Sequence, residues 1–150
     1  MDKPETYIKM SDCPEIQEDW KPQIGDWFYK EDGIGYGLWL ICQVSAPNGE
    51  TLWCSGERMN QPPFEGKLVQ FTAPENYIWL PLQSQLQEMI GEEYSINLLY
   101  AFHRFYNTMG CDLYPHTING AKTSMEQLWL TFVMKEKYNK TWYGEDWVNP

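Results

Sequence analysis

One stretch of the chain gathers most of the residue types that a reaction would need. Cys111, Asp112 and His116 lie within a single short loop, and Arg104 precedes them on a predicted helix. A thiol within hydrogen-bond reach of an imidazole can act as an activated nucleophile, and histidine is the usual general base near neutral pH. No glycine pattern of a nucleophile elbow surrounds Cys111, so we assign no catalytic residue. The four side chains remain candidates for the mouth of a small-molecule pocket.

The same residue types do not form a metal-binding motif. The chain has two histidines, His103 and His116, and four cysteines without a CxxC pair or an HExxH sequence. Structural zinc sites usually present paired, closely spaced ligands. We therefore predict no metal ion and no cofactor. The cysteines are expected to be reduced thiols of a cytoplasmic protein.

Aromatic residues at the C-terminal end are candidates for partner binding. Trp142, Tyr143 and Trp147 stand beyond the last predicted helix, in a chain that has eight tryptophans. Trp and Tyr are enriched at the energetic centres of protein interfaces. Two interpretations stay open at this point. Either the tail folds back as a strand or hairpin that closes the core, or it presents a recognition surface.

The elements that must position these residues are helices in the second half of the chain. Apolar residues recur there at the spacing of one helix face. The three stripes are Leu82, Leu86, Met89 and Ile90; Leu98, Leu99, Phe102, Phe105, Tyr106 and Met109; and Leu128, Trp129, Phe132 and Val133. Ser95 and Gly110 are expected to bound the second helix. Thr123–Glu126 has the pattern of a capping box that starts the third.

Residues 25–80 have β character instead. Short strands are predicted at Trp27–Tyr29, Lys67–Thr72 and Tyr77–Leu80, and a β-hairpin over 38–54 around the turn Pro47-Asn48-Gly49. Tyr7–Trp20 favours one short helix or two fragments. Because no helix intervenes between the strands, the sheet should be antiparallel. The predicted fold is α+β: an antiparallel sheet of four to five strands packed against two or three C-terminal helices, plus a short N-terminal helix. Residues 1–150 are expected to form a single domain.

The charge distribution excludes several partners. The net charge is −10, and residues 1–32 hold nine acidic residues against four lysines. Binding to a phosphate backbone needs clustered Lys and Arg, and anionic membranes disfavour an acidic protein for the same reason. We therefore expect no direct nucleic-acid binding and no membrane association. An acidic surface instead favours a protein partner with a basic patch. It also fits a second role, in which this protein mimics DNA.

Three segments of the sequence resemble a known group of proteins. Tyr77–Met89, Ser124–Leu130 and Trp142–Trp147 are similar to segments of short prophage-encoded proteins of low-GC Gram-positive bacteria. The resemblance implies a phage accessory context in the host cytoplasm, and it implies no activity and no site residues. The function predicted from the sequence is a non-enzymatic interaction protein that binds a host or phage protein through an acidic, aromatic-rich surface. A small-molecule-binding protein or minor enzyme with a pocket near residues 110–116 is the first alternative, and an acidic DNA mimic is the second.

Overall fold

A computed structural model describes residues 5–32, 35–45, 51–58, 69–71, 77–91, 95–109 and 124–149. The chain divides into two compact units. One, here called the sheet unit, is residues 11–80, and the other, the helical unit, combines residues 1–10 with residues 81–150. The predicted α+β class is confirmed. The packing of the sheet against the C-terminal helices and the single domain over 1–150 stay predictions.

The sheet unit is built on an antiparallel sheet. Its strands are β1 (Trp27–Asp32), β2 (Gly35–Ser45), β3 (Thr51–Arg58), β4 (Val69–Phe71) and β5 (Ile78–Leu80). Their order in the sheet is β4-β3-β2-β1-β5, and each neighbouring pair is antiparallel. The two strands of the hairpin predicted over 38–54 are present as β2 and β3, with a register shift between Ile41 and Gln43. The predicted turn Pro47-Asn48-Gly49 lies outside the described residues.

The first strand is longer than the sequence predicts. The sequence predicts a strand that ends at Tyr29, but pairing with β2 continues through Lys30 with Gly37, Glu31 with Tyr36 and Asp32 with Gly35. Three further residue pairs therefore extend the strand. The turn signal of Gly and Asp in this segment is a local preference, which the ladder of backbone hydrogen bonds overrides.

The interior of the sheet unit is aromatic. Phe28, Ile41 and Tyr77 form its buried cluster, with Trp20 and Trp39 packed against it. The ring centroids of Phe28 and Tyr77 lie 4.8 Å apart. A large aromatic side chain buries 150–250 Å², so these few rings supply much of the apolar area that stabilises a small sheet.

The N-terminal segment forms two short helices, the second of its two predicted forms: α1 (Glu5–Ser11) and α2 (Pro14–Gln17). The predicted helical segment extended to Trp20, but α2 ends before that residue. Trp20 instead stacks on Trp79, with ring centroids 6.0 Å apart and planes 2° from parallel. Ile16 is fully buried.

The side chain of Gln17 covers the edge of the sheet. Its Oε1 accepts a hydrogen bond of 2.9 Å from the backbone N–H of Trp79, and its Nε2 donates to the Trp79 carbonyl at 3.1 Å. Nε2 also donates to the Ser11 carbonyl at 2.8 Å. Since β5 is the last strand on its side of the sheet, the amide group of Gln17 takes the place of a neighbouring strand and satisfies an exposed edge.

The helical unit contains α3 (Gln83–Ile90), α4 (Ser95–Met109) and α5 (Met125–Tyr138). All three were predicted from their apolar stripes. Gly91, at φ 71°, ends α3 in the left-handed conformation that glycine adopts without strain. The N-cap of α5 is Ser124, whose side chain accepts from the Gln127 N–H, so this helix starts one residue later than the predicted capping box.

Helix α5 is the centre of the helical unit. Every residue from Trp129 to Met134 is buried, and so is Gln127. The sequence predicted one buried stripe, but a helix covered on nearly all sides lies inside the fold rather than on its surface. Phe102 of α4 stacks on Trp129 with centroids 4.0 Å apart, and Tyr106 donates to the Leu128 carbonyl at 2.7 Å.

Leu99 of α4 does not belong to the buried stripe to which the sequence assigned it. Its side chain is 53% exposed, whereas that of Leu98 is 8% exposed. Consecutive helical residues point about 100° apart, so the two leucines cannot share one face.

No helix in the described part of the chain is long and apolar enough to cross a membrane.

Candidate functional site

The C-terminal tail folds into a small β-hairpin. Its strands are β6 (Thr141–Trp142) and β7 (Trp147–Val148), paired antiparallel with Trp142 opposite Trp147. The N–H of Tyr143 donates to the Asp146 carbonyl at 3.1 Å. That bond closes a two-residue loop, Gly144-Glu145, in which Gly144 has φ 91°. A positive φ at the first loop residue is what a type II′ hairpin turn requires, and glycine supplies it without strain.

Both tryptophans of the hairpin lie on its inner face. Trp142 is 3% exposed, and its ring meets that of Trp147 edge to face at 5.2 Å. The indole Nε1 of Trp147 donates a hydrogen bond of 2.8 Å to the backbone carbonyl of Met10. Two interpretations of the tail were open. In the helical unit the tail folds back as a hairpin and closes the core. Trp142 is a core residue, and its ring is not available to a partner at the surface.

Most of the opposite face of the hairpin is exposed. Side chains alternate along a strand, so Thr141, Tyr143, Asp146 and Val148 share the side away from the two tryptophans, and of these only Thr141 is buried. Tyr143 is 61% exposed and Val148 is 43% exposed, with Asp146 and the loop residue Glu145 exposed beside them. We call Tyr143, Glu145, Asp146 and Val148 the outer face of the hairpin. It presents one aromatic ring, one aliphatic side chain and two carboxylates, with no basic side chain among its four residues.

A small cavity lies between α4, α5 and the hairpin. Its volume is about 10 Å³, and its lining includes Phe105, Thr131, Thr141 and Trp142. That is the space of roughly one water molecule. Ligand pockets for drug-sized molecules have volumes of about 300–1,000 Å³, so this cavity is part of the packing and not a substrate site.

The predicted small-molecule pocket rests mainly on residues outside the described part of the chain. Cys111, Asp112 and His116 lie outside the described residues. The pocket hypothesis therefore stays a prediction. Its fourth residue, Arg104, is exposed on α4, one position after the exposed His103. The side-chain amide of Asn107 lies 2.8 Å from His103 Nε2. Over the residues that are described, no group of three or more His, Cys, Asp or Glu side chains is arranged to hold a metal ion.

Three exposed positions of the hairpin were not predicted as contact residues. Glu145, Asp146 and Val148 lie on the outer face, whereas the sequence singled out only Trp142, Tyr143 and Trp147. The signal was available in the period-two alternation of strands. If Trp142 and Trp147 face inward across the hairpin, their alternate neighbours Tyr143 and Val148 must face outward.

Comparisons with protein-family models, with curated proteins and with solved structures found no match to this chain.

Proposed function

We propose that the protein is a non-enzymatic interaction protein that binds a protein partner through the outer face of its C-terminal hairpin. The observation that carries the proposal is the exposure of Tyr143, at 61%, on a hairpin whose other aromatic residues are held against the core. An exposed aromatic ring on a rigid support can contribute binding energy at a low cost in conformational entropy.

The charges of the outer face define the kind of partner. Glu145 and Asp146 are both exposed beside Tyr143, and the whole chain carries a net charge of −10. A partner with lysine or arginine around an apolar recess fits this surface, because the basic groups pair with the carboxylates and the recess accepts Tyr143 and Val148. Nucleic acids do not fit it, since phosphates and carboxylates repel each other.

The proposed setting is a prophage or phage of a low-GC Gram-positive bacterium, with the protein acting in the host cytoplasm on a host or phage protein. This part of the proposal is supported by the resemblance of Tyr77–Met89, Ser124–Leu130 and Trp142–Trp147 to prophage-encoded proteins.

The experiment compares two exposed tyrosines in one assay. Tagged wild-type protein captures partners from a lysate of such a host, and the captured protein is then purified for direct binding measurements. Tyr143→Ala is the test variant. Tyr100→Ala is the matched control, because Tyr100 is 69% exposed but lies on helix α4.

We expect Tyr143→Ala to weaken binding of the purified partner by about 30-fold, the loss of a hot-spot residue worth about 2 kcal/mol. Tyr100→Ala should leave the affinity within about twofold. The proposal is wrong if wild-type protein captures no stoichiometric partner, or if the captured partner binds Tyr143→Ala as tightly as wild type.

A further inference from the structure

Helix α1 is held in the helical unit at two points. Its buried face carries Tyr7 and Met10, which lie about one turn apart and are 0% and 3% exposed. The hydroxyl of Tyr7 donates a hydrogen bond to the backbone carbonyl of Pro81, just before α3. Near the other end of α1, the Met10 carbonyl accepts the hydrogen bond of 2.8 Å from the indole Nε1 of Trp147. Helix α1 therefore connects the segment before α3 to the C-terminal hairpin.

A helix as short as α1 depends on such contacts for its order. It has seven residues, and isolated helices shorter than about 12–15 residues are marginal in water. The ion pair between Glu5 and Lys9 lies on its exposed side, where such pairs add little stability. The buried side chains of α1 therefore hold it in place, and Tyr7 is the largest of them.

The hairpin also depends on an anchor. Its two strands have two residues each, and an isolated two-stranded hairpin is marginally stable at best. Trp142 and Trp147 form its inner face, and the bond from Trp147 to the Met10 carbonyl joins that face to α1. When this anchor opens, the strand that carries Trp147 loses a fixed point, and the outer face of the hairpin loses its defined position.

We propose that helix α1 sets the binding competence of the hairpin, with Tyr7 as its positioning residue. This inference rests on the proposed function of the outer face. Tyr7 fixes α1 through Pro81, α1 places the Met10 carbonyl, and that carbonyl anchors Trp147. A partner's apparent affinity falls in proportion to the fraction of molecules in the binding-competent arrangement. The strength of binding at the C-terminal end of the chain therefore depends on a hydroxyl near its N-terminal end.

Tyr7→Phe tests the proposal, because it removes the hydroxyl and keeps the aromatic ring. Tyr106→Phe is the matched control. It loses a hydrogen bond of the same type, from the Tyr106 hydroxyl to the Leu128 carbonyl at 2.7 Å, but this bond joins α4 to α5. Both variants should remain folded with lowered melting temperatures, which circular dichroism measures.

Hydrogen exchange of the Trp147 indole N–H, followed by NMR, reports how often the anchor opens. Loss of one partner of a buried hydrogen bond shifts a local equilibrium by about 5-fold to about 150-fold. Tyr7→Phe should therefore accelerate this exchange at least about fivefold. Tyr106→Phe should leave it within about twofold of wild type, because its lost bond does not lead to the hairpin.

Binding kinetics with the purified partner separate positioning from loss of a contact. Tyr7→Phe should lower the association rate constant by about three- to tenfold and leave the dissociation rate near that of wild type, because the bound hairpin makes the same contacts. Tyr143→Ala removes a contact and should act mainly on dissociation. In a Trp147→Phe background, Tyr7→Phe should cause little further loss, because both changes break the same connection.

The inference is wrong if exchange of the Trp147 indole N–H is as slow in Tyr7→Phe as in wild type, or if Tyr7→Phe and Tyr106→Phe accelerate it equally. It is also wrong if Tyr7→Phe associates with the partner as fast as wild type, or if the effects of Tyr7→Phe and Trp147→Phe add in full. A captured partner that binds Tyr143→Ala as tightly as wild type overturns the proposed function instead. The exchange rates need no partner, so they still decide whether α1 anchors the hairpin.

Discussion

The indole Nε1 of Trp147 and the backbone carbonyl of Met10 are joined by a hydrogen bond of 2.8 Å across 137 positions of sequence. This bond ties the last strand of the chain to its first helix. Together with the buried ring of Trp142, it fixes the inner face of the hairpin. The exposed position of Tyr143 follows from that arrangement, because neighbouring residues in a strand face opposite sides.

Replacement of Trp147 by phenylalanine should destabilise the helical unit. Trp147→Phe removes the hydrogen bond to the Met10 carbonyl but keeps an aromatic ring beside Trp142. The expected loss is about 1 kcal/mol, or about 2–4 °C in melting temperature for a chain of this size. Thermal unfolding followed by circular dichroism measures it, with Tyr143→Phe as the control that should melt like wild type. Equal melting of Trp147→Phe and wild type would show that this bond does not hold the hairpin.

Substitution of the first loop residue should strain the hairpin. Gly144 has φ 91° and open space around the position of a β-carbon, so Gly144→Ala introduces backbone strain without a steric clash. The expected cost is about 1 kcal/mol in the free energy of unfolding, measured by urea denaturation. Glu145→Ala, at the next position of the same loop, should cost less than about 0.5 kcal/mol. If both variants cost the same, the turn does not need its left-handed residue.

Loss of donors at the edge of the sheet should destabilise the sheet unit. Gln17→Glu keeps an oxygen that can accept from the Trp79 N–H, but it removes the Nε2 donor to the carbonyls of Trp79 and Ser11. We expect a loss of about 1–3 kcal/mol, measured by urea denaturation at neutral pH. The same change at the exposed Gln23 is the control and should be nearly neutral. If Gln17→Glu and Gln23→Glu have the same free energy of unfolding, the edge of β5 does not depend on the Gln17 amide.

Rising salt should weaken the binding of a partner to the outer face of the hairpin. If Glu145 and Asp146 pair with basic groups of the partner, the association rate should fall as ionic strength rises. The double variant Glu145→Gln/Asp146→Asn should bind more slowly and lose most of this salt dependence. Surface-based kinetic measurements with the purified partner report both effects. An association rate that does not change with salt would contradict the charged nature of the contact.

Much of the helical unit could be predicted from local signals. The stripes of α3 and α5 and the turn at Gly91 are local features of sequence. The position of the α5 cap was wrong by one residue, because Thr123 and Ser124 can both act as N-caps and the geometry of the first turn decides between them. The burial of every residue from Trp129 to Met134 could not be read from one stripe, since it depends on what surrounds the helix.

The candidate sites depended on tertiary placement that the sequence only partly encodes. Trp142 and Tyr143 are neighbours of the same aromatic class, and composition alone gives no reason to place one inside and the other outside. Strand alternation separates them once the hairpin is known. Likewise, Leu98 and Leu99 are identical in type, and the helical period assigns them to different faces of α4. In both cases geometry, rather than residue type, decided which side chain is available to a partner.

The orientation of the hairpin side chains is the point on which the proposed function depends, and fluorine NMR measures it directly. The protein is labelled with fluorotryptophan or fluorotyrosine, and signals are assigned with Trp142→Phe, Trp147→Phe and Tyr143→Phe. The change of each signal between H₂O and D₂O reports its contact with solvent. We predict a large solvent shift for Tyr143, similar to that of Tyr100, and almost none for Trp142. A large shift for Trp142, or a Tyr143 signal insensitive to the solvent, would contradict the arrangement and remove the proposed binding surface.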